Sequence, residues 1–358
     1  MWPDTPVARL LQVAVPIVLA PMAGEASTPA LAAAVSNGGG LGSLGAAYSS
    51  PDAIRQMIRA TRVLTDKPFA INLFVTASMT ADPAKVSAAR SILAPWRDRY
   101  GVPDDLPPGL SLPDLDAQLQ VIIEERPAVF SYAFGALARD RIAALKQAGI
   151  IVVGTATTVP EAMRLEADGV DAIAAQGAEA GAHRGSFLGA FENSMVGTMA
   201  LVPAMVDRVK IPVIAAGGIM DGRGIAAALM LGAAGVQLGT AFLACPECGA
   251  SAAWKKALLD QRADSTEVTR AFSGRPARGI RNRFMAEIGA RQAELPGFPA
   301  LNSLTRGIRG AAAKAGDAEA LSLWSGQGAP LARQLPAAGL LKTLIDETAR
   351  RFDEGFQG

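Results

Sequence analysis

Eight short apolar runs, spaced along the chain up to residue 241, constrain its fold more than any other feature. They span residues 13–20, 40–45, 69–74, 128–133, 150–156, 170–176, 212–218 and 235–241. Between most of them lie alanine-rich segments with helix-start signals such as Pro51 and Asp221. Continuous apolar runs are typical of strands that are buried on both faces of a parallel sheet. Eight such strands, each followed by a helix, predict an α/β fold, a closed (β/α)8 TIM barrel rather than an open doubly wound sheet.

Two segments interrupt this alternation and predict additions to the barrel. Residues 76 to about 126 form a proline-rich, helical insert after the third strand. Residues 246–329 follow the eighth strand and hold enough helical sequence for a second, mostly helical lobe that covers the substrate. The apolar spacing of residues 330–358 is typical of a helix that returns to the barrel wall. We therefore expect the barrel within residues 1–245, followed by the lobe and the C-terminal helix.

The charge balance and the cysteines exclude several classes of partner. Lys and Arg number 34 and Asp and Glu number 33, so the net charge of +1 provides no field that attracts nucleic acid. No apolar stretch reaches the roughly 20 unbroken residues of a membrane span. Cys245 and Cys248 cannot complete a zinc site, which needs about four ligands. We expect a cytoplasmic protein with ordinary thiols, no metal and a small-molecule partner.

The ends of the predicted strands carry glycine and amide groups rather than acid-base pairs. No lysine for a Schiff base, no pair of carboxylates and no His/Asp cluster stands there, which disfavours aldolase, glycosidase and metallohydrolase functions. Gly217 and Gly218 follow the seventh strand, and residues 237–240 end the eighth. Backbone N–H groups of two such turns can converge on a phosphate, with help from Thr240 and from a helix that opens near Asp221. These turns therefore predict a phosphate site.

Two side-chain amides at other strand ends indicate the kind of ring that the phosphate-bearing ligand carries. Asn72 and Gln176 can both donate and accept hydrogen bonds, which suits a heteroaromatic ring with mixed carbonyl and N–H edges. Flavin mononucleotide (FMN) fits this combination, and inosine or other nucleotide monophosphates fit it as well.

Six sequence blocks in the same order resemble the signatures of the nitronate monooxygenases, formerly called 2-nitropropane dioxygenases. They are PIVLAPMAG (16–24), GGGLGSLG (38–45), AQGAEAGAHRG (175–185), PVIAAGGIMDGRGIAAALMLGAAGVQLGTAFL (212–243), FSGRPARGIRNRF (272–284) and WSGQGAPLARQLPA (324–337). The resemblance implies a TIM-type barrel that binds FMN non-covalently beneath a second lobe. It also implies an enzyme that converts an alkyl nitronate, such as propionate 3-nitronate, and O2 into a carbonyl compound and nitrite.

The same resemblance assigns cofactor contacts. Pro21, Met22 and Ala23 would line the flavin ring, and Asn72 and Gln176 would form hydrogen bonds near it. The ribityl phosphate and the adjoining chain would be held by Gly181, Gly218, Gln237, Leu238, Gly239 and Thr240.

His183 is the only histidine in the chain and the candidate catalytic residue. It follows the sixth strand in a glycine-rich loop, over the expected barrel mouth. In the resembling family this histidine is the active-site base or the partner of an anionic nitronate, and an imidazole can take an α-proton or stabilise nitro oxygens. Two departures stand out: Ala182 replaces a usual glycine, where a positive φ would be strained, and Ala133 replaces a polar residue or histidine of many relatives.

Other charged and aromatic residues receive weaker interpretations. Glu179 is either an orienting partner of His183 or a solvated carboxylate. The basic run of Arg275, Arg278, Arg281 and Arg283 is expected to serve the surface and lobe packing rather than a substrate carboxylate. Packing is also the expected role of Trp2, Trp96, Trp254 and Trp324.

Three other functions stay open at the level of sequence. The first is an NAD(P)H-dependent FMN reductase that acts on a quinone or an enoyl thioester. The second is a flavin-binding barrel without enzymatic activity. The third is a flavin-free nucleotide enzyme resembling inosine monophosphate dehydrogenase, although the expected cysteine nucleophile is missing from the barrel loops. A monomer or a homodimer is expected.

Overall fold

The computed structural model describes residues 2–24, 26–76, 81–105, 110–260 and 264–353. Within them, eight parallel strands form one sheet in the order β1-β9-β8-β6-β5-β4-β3-β2. The strands of the chain are β1 (Ile17–Leu19), β2 (Gly42–Gly45), β3 (Phe69–Phe74), β4 (Val129–Ala133), β5 (Ile151–Ala156), β6 (Ala172–Gln176), β7 (Ala182–His183), β8 (Val213–Ala216), β9 (Gly235–Leu238), β10 (Thr266–Thr269) and β11 (Ala277–Ile280). A parallel bridge from Val18 to Leu41 brings β1 beside β2, so the sheet closes on itself. The predicted TIM barrel is confirmed.

Each predicted strand exists, but several are shorter than the apolar run that indicated them. Only Ile17–Leu19 of residues 13–20 is a strand, because Pro16 lacks the N–H of a ladder hydrogen bond. The strand predicted at 212–218 ends at Ala216, since Gly217 and Gly218 adopt φ values of 113° and 73° and turn the chain away.

Most of the helices begin where a short polar side chain caps them. They are α1 (Pro6–Leu11), α2 (Pro29–Asn37), α3 (Pro51–Leu64), α4 (Pro83–Tyr100), α5 (Leu115–Glu125), α6 (Arg139–Gln147), α7 (Val159–Asp168), α8 (Thr198–Val206), α9 (Gly222–Met230), α10 (Ala252–Leu259), α11 (Arg283–Gly289), α12 (Ala300–Ala315) and α13 (Ala337–Asp353). Thr5, Thr28 and Ser50 each accept an N–H bond from the first turn and stand directly before a proline. Such caps contribute about 1 kcal/mol each.

The core has an inner and an outer layer. The inner cluster fills the barrel with one residue or more from most strands, and α1 adds Val7 and Leu11. Val7 packs beside Gly235 at the start of β9, so α1 covers the amino-terminal end of the barrel. The larger outer cluster joins the strands to the surrounding helices and to the lobe. With the lower end covered, a cleft can open only at the carboxyl ends of the strands.

The insert and the region after β9 pack together, which the sequence pattern does not indicate. Helix α4 lies against α12, and the ring of Trp96 stands 5.1 Å from that of Phe284. The lobe also contains strands: β10 and β11 pair antiparallel with each other, and β11 pairs with β7. Helix α13 packs against α9 and α2 of the barrel wall. No helix of the described residues is long and apolar enough to cross a membrane.

Candidate active site

A cleft of about 1410 Å³, part of it open to solvent, lies at the carboxyl ends of the barrel strands. His183 lines it, and so do all but one of the predicted cofactor residues. Those that line the cleft are Pro21, Met22, Ala23, Asn72, Gln176, Gly181, Gly217, Gly218, Gln237, Gly239 and Thr240. The exception is Leu238, which is 1% exposed and lies in the core. Side chains alternate along a strand, so Gln237 faces the cleft and Leu238 faces the helices.

The two glycine turns form a cradle of backbone at one end of the cleft. A side chain on Gly217 would be strained, because its φ is 113° and a Cβ would lie 3.0 Å from the nitrogen of Ala180. Helix α9 starts a few residues later, and Asp221 caps it through the N–H groups of Arg223 and Gly224. Because the first N–H groups of α9 already donate to the carboxylates of Glu347 and Asp221, an anion here would be held by the glycine turn and the helix dipole rather than by those donors.

Thr240 connects the cradle to the lobe. The backbone N–H of Gly326 donates to Thr240 Oγ1 over 3.0 Å, which leaves the hydroxyl hydrogen available for a ligand. A Cβ on Gly181 would lie 2.6 Å from the nitrogen of Gly326, so these two loops touch backbone to backbone. Gly326 belongs to the WSGQG block, and the sequence analysis assigns no role to this residue.

The two predicted amides differ in what they leave free. Asn72 is 4% exposed, and its Nδ2 donates to Ser131 Oγ over 2.9 Å, so its carbonyl oxygen remains available. Gln176 is already engaged: its Nε2 donates to the backbone oxygen of His183 over 3.0 Å, and its Oε1 accepts from the N–H of Gly185 over 2.7 Å. Gln176 therefore fixes the loop that carries His183.

His183 lies in a short strand and not in a free loop. Strand β7 pairs with β11, and His183 stands opposite Ala277. Its Nε2 is 2.8 Å from the hydroxyl of Ser273, which in turn lies 3.1 Å from the carbonyl oxygen of Arg275. The Ser273 hydroxyl can donate to that carbonyl, in which case Nε2–H donates to Ser273, or it can donate to Nε2, in which case Nδ1 carries the proton and can donate to a ligand.

The environment keeps His183 neutral. Burial, together with the positive charges of Arg275 and Arg309, lowers the pKa of the imidazole to about 3. The ring remains partly exposed, and that surface lines the cleft. A neutral imidazole can donate one hydrogen bond and accept another at neutral pH, but it is a weak base.

Aromatic rings surround this imidazole. Ring centroids of Phe134, Phe298 and Trp324 lie 5.5–5.7 Å from that of His183, and Phe74 lies at 6.3 Å. Phe134, which follows Ala133, has a φ of 80°, a conformation that is rare for a bulky residue. It stacks on Phe74 at 4.0 Å, so the substitution at Ala133 accompanies an apolar wall.

The charged residues near the loop that carries His183 form hydrogen bonds to neighbouring residues and not to the imidazole. Glu179 is half-buried, and its carboxylate accepts from the N–H and the hydroxyl of Thr198 at 2.9 Å rather than from His183. Arg275 Nε donates to the backbone oxygen of Arg184, and Arg278 Nε donates to that of Ala178. The packing role predicted for the basic run is therefore found at these two arginines, whereas Arg281 and Arg283 are exposed.

The structure adds residues to the cleft that sequence reasoning missed. Tyr48, Asn302 and Arg309 line it, and nothing in their sequence surroundings distinguishes them. Trp254 and Trp324 also line it, and both pack against the core as well. None of the described residues that line the cleft is an Asp or a Glu.

The cysteines take no part in this site. Cys248 donates to the carbonyl oxygen of Ala26 over 3.2 Å, and burial raises the pKa of Cys245 to about 12. A search of the described residues finds no group of His, Cys, Asp and Glu that could hold a metal ion.

Comparison with known proteins gives matches over nearly the whole chain. The family model for nitronate monooxygenase matches residues 7–347. A nitronate monooxygenase from Pseudomonas aeruginosa is 47% identical over 346 residues, which cover 95% of this chain and 97% of that protein. The crystal structure of nitroalkane oxidase from Streptomyces ansochromogenes has a TM-score of 0.91 at 42% identity and covers 97% of this chain and 99% of the other. FabK from Thermotoga maritima has a TM-score of 0.77 at 33% identity and covers 98% of each chain.

Proposed function

Because this chain belongs to the nitronate monooxygenase family, we propose that it binds FMN in the cleft and oxidises alkyl nitronates with O2 to a carbonyl compound and nitrite. One observation carries the proposal: a neutral histidine and a glycine cradle for an anion face the same cleft, which no described acidic side chain lines. Both a phosphate and a nitronate are anions, and such a cleft repels neither.

The cradle fits the phosphate of FMN. Gly217 and Gly218 have positive φ values that suit backbone donors in a tight turn, and side chains there would be strained. The hydroxyl of Thr240 and the start of α9 add a donor and a favourable dipole. We assign the phosphate and the adjoining chain to these groups, with Gly181, Gln237 and Gly239 beside them.

The barrel mouth fits the ring. Pro21, Met22 and Ala23 provide an apolar edge, and the free carbonyl of Asn72 can accept from a ring N–H. FMN, when bound, supplies the electron acceptor of the oxidation and the reaction with oxygen. The chain itself holds the reactants together and excludes bulk water with Phe74, Phe134, Phe298 and Trp324.

We assign the nitro end of the substrate to His183. A neutral imidazole can donate a hydrogen bond to a nitronate oxygen without the cost of burying a second charge. Its low pKa makes it a poor acceptor for the α-proton of a neutral nitroalkane, whereas a nitronate has already lost that proton. The proposed substrate is therefore the anion, and the neutral nitroalkane should react more slowly.

An anaerobic titration of the purified holoenzyme tests the proposal. Ethylnitronate should change the flavin absorbance at once, and admission of air should restore it with the release of nitrite. NADH should have little effect. A protein without bound flavin, or a flavin unaffected by nitronates, would overturn the proposal.

The alternative function is an NAD(P)H-dependent FMN reductase that acts on a quinone or an enoyl thioester. It needs the same flavin site and differs in its reductant, so rapid bleaching by NADH or NADPH in the same titration would favour it. For either function we propose a cytoplasmic location, which the reduced and buried cysteines support, and a monomer or homodimer.

A further inference from the structure

The side chain of Arg275 crosses from the lobe to the segment that carries His183. Arg275 lies between β10 and β11, and its Nε donates to the backbone oxygen of Arg184 over 3.2 Å. Its Nη2 donates to the backbone oxygen of Ser186. Arg184 directly follows His183, and Ser186 lies just beyond it. The guanidinium therefore fixes the chain on one side of the imidazole.

The same guanidinium supports the aromatic wall beside His183. Its central carbon lies 4.0 Å from the centroid of the Phe134 ring, a stacking contact that arginine favours. The Phe134 ring is in turn 5.6 Å from the imidazole. Phe134 has a φ of 80°, so its conformation depends on the contacts that hold it. Arg275 provides one of those contacts, and Phe74 provides another.

The backbone of Arg275 holds the hydrogen-bond partner of the imidazole. Ser273 Oγ lies 3.1 Å from the carbonyl oxygen of Arg275, 3.2 Å from its N–H and 2.8 Å from His183 Nε2. The main chain and the side chain of one residue thus reach three neighbours of the imidazole, namely Ser273, Phe134 and the segment after His183. A displacement of Arg275 would move all three.

Arg275 also brings a positive charge close to the imidazole. Burial lowers the pKa of its guanidinium to about 10, so the group stays protonated at neutral pH. The charged or titratable groups that face Arg275 are Glu161, Arg270 and Tyr48, and those that face His183 are Arg275 and Arg309. Glu161 is the one carboxylate among these described residues, and its oxygens accept from backbone N–H groups and a hydroxyl rather than from Arg275. The charge of Arg275 therefore opposes protonation of the imidazole.

We propose that Arg275 is a positioning residue for His183, which fixes the orientation of the imidazole by holding Ser273, Phe134 and the segment after the histidine at the same time. Its positive charge in addition keeps the fixed ring neutral. The role of the imidazole in turnover rests on the proposed function. The orientation and the charge of the ring do not, because both can be measured without a substrate.

Nuclear magnetic resonance measures both properties directly. His183 is the only histidine, so an untagged holoenzyme labelled with 15N in histidine gives the ring signals of this residue alone. The shifts of the two ring nitrogens report the tautomer and the charge of the imidazole. The wild type should show a neutral ring that does not titrate between about pH 5 and pH 8, because its pKa is about 3.

Replacement Arg275→Met removes the charge and the side-chain donors while it keeps an apolar chain beside Phe134. Both ring signals of His183 should shift, and the affinity of the imidazole for a proton should increase about 10-fold. The ring should therefore begin to titrate at a higher pH than in the wild type.

Replacement Arg275→Lys separates the geometry from the charge. Lysine keeps the positive charge, but it lacks the planar fork that donates to two carbonyl oxygens and stacks on a ring. The ring signals should therefore shift, while the pKa of His183 stays as low as in the wild type. This variant also decides the question if Arg275→Met does not fold.

The control is Arg270→Met, which removes a positive charge from the same segment between β10 and β11. The guanidinium of Arg270 lies 5.7 Å from the centroid of the Phe191 ring, away from the three neighbours of the imidazole. This replacement should leave the ring signals of His183 and kcat/KM for ethylnitronate unchanged.

Steady-state kinetics with ethylnitronate provide the second measurement. Both substitutions of Arg275 should reduce kcat/KM about 10-fold with an unchanged FMN content, because the glycine turns lie on other residues. If the wild type oxidises no nitronate, the proposed function fails, and the ring signals still report on Arg275. Unchanged ring signals in both Arg275 variants, equal shifts in Arg270→Met, or a loss of FMN from the Arg275 variants would each overturn the inference.

Discussion

The imidazole Nε2 of His183 lies 2.8 Å from the hydroxyl of Ser273, a residue 90 positions further along the chain. Ser273 is itself fixed, because its hydroxyl also lies 3.2 Å from the N–H and 3.1 Å from the carbonyl oxygen of Arg275. The lobe therefore determines which way the only histidine of the chain points. In this arrangement Ser273 is a positioning residue and His183 is the proposed catalytic residue.

Replacement Ser273→Ala should lower kcat about 10-fold, the effect of one lost hydrogen bond, with little change in KM or in FMN content. Ser273→Thr keeps the hydroxyl and should recover most of the rate. Steady-state kinetics with ethylnitronate measure both variants. If the alanine and threonine variants behave alike, the hydroxyl does not position the imidazole.

Replacement His183→Ala should reduce kcat/KM for ethylnitronate about 100-fold or more, because it removes the donor assigned to the nitro oxygens. FMN should remain bound, since the cradle lies on other residues. Flavin absorbance after gel filtration and oxygen uptake give the two measurements. Unchanged oxygen uptake would assign His183 a structural role.

The pH dependence of stability should also report on His183. Its pKa is near 6.5 in the unfolded chain and about 3 in the folded protein, so the unfolded state binds more protons between these values. The stabilising contribution of the neutral ring is complete above pH 6.5 and is lost as the pH falls toward 3. The free energy of unfolding, measured with urea, should therefore fall more steeply between pH 6.5 and pH 4 for the wild type than for His183→Asn. If the free energies of unfolding of the two proteins depend on pH in the same way, the pKa of His183 is not lowered in the folded protein.

Replacement Gly217→Ala should weaken FMN binding about 10-fold, because a left-handed backbone costs an L-residue roughly 1–2 kcal/mol and the turn must shift. Gly169→Ala is the matched control: its φ is 99°, a Cβ there meets nothing within 4 Å, and it caps α7 away from the cleft. Both variants should lower the melting temperature, and only the first should lose flavin. Fluorescence titration of the apoprotein with FMN distinguishes them.

Replacement Ala182→Gly should leave the protein as stable or more stable by up to about 1 kcal/mol. Ala182 adopts a φ of 61°, which costs alanine roughly 1–2 kcal/mol. Glycine avoids that strain, but it gives the unfolded chain more conformational entropy, which lowers the stability by about 0.4–1 kcal/mol. Thermal unfolding of the holoenzyme measures the difference. A clear loss of stability would mean that the methyl group of Ala182 contributes packing that outweighs the strain.

The strands could be predicted because each is a continuous apolar run, and the strain at Ala182 could be anticipated from a family block that usually has glycine there. Leu238, predicted as a cofactor contact, does not line the cleft, and the alternation of side chains along β9 already separates it from Gln237. Strand β7 could not be predicted, because two residues carry no periodicity and its partner β11 lies far along the chain. Tyr48, Asn302 and Arg309 give no local signal either, because only the tertiary structure brings them to the wall of the cleft.

The bond from Gly326 to Thr240 has a mechanical consequence. It joins the covering region to the last turn of the barrel, and a second bond, from the N–H of Gln327 to the carbonyl of Glu179, lies beside it. An outward movement of this region would break both bonds and disturb the glycine turns to which FMN is assigned. We therefore expect ligands to enter past Tyr48 and Asn302, which line both the cleft and a neighbouring hollow on the surface. In that case the lobe stays in place over the cleft, and the width of the opening beside it limits the size of the ligands that enter.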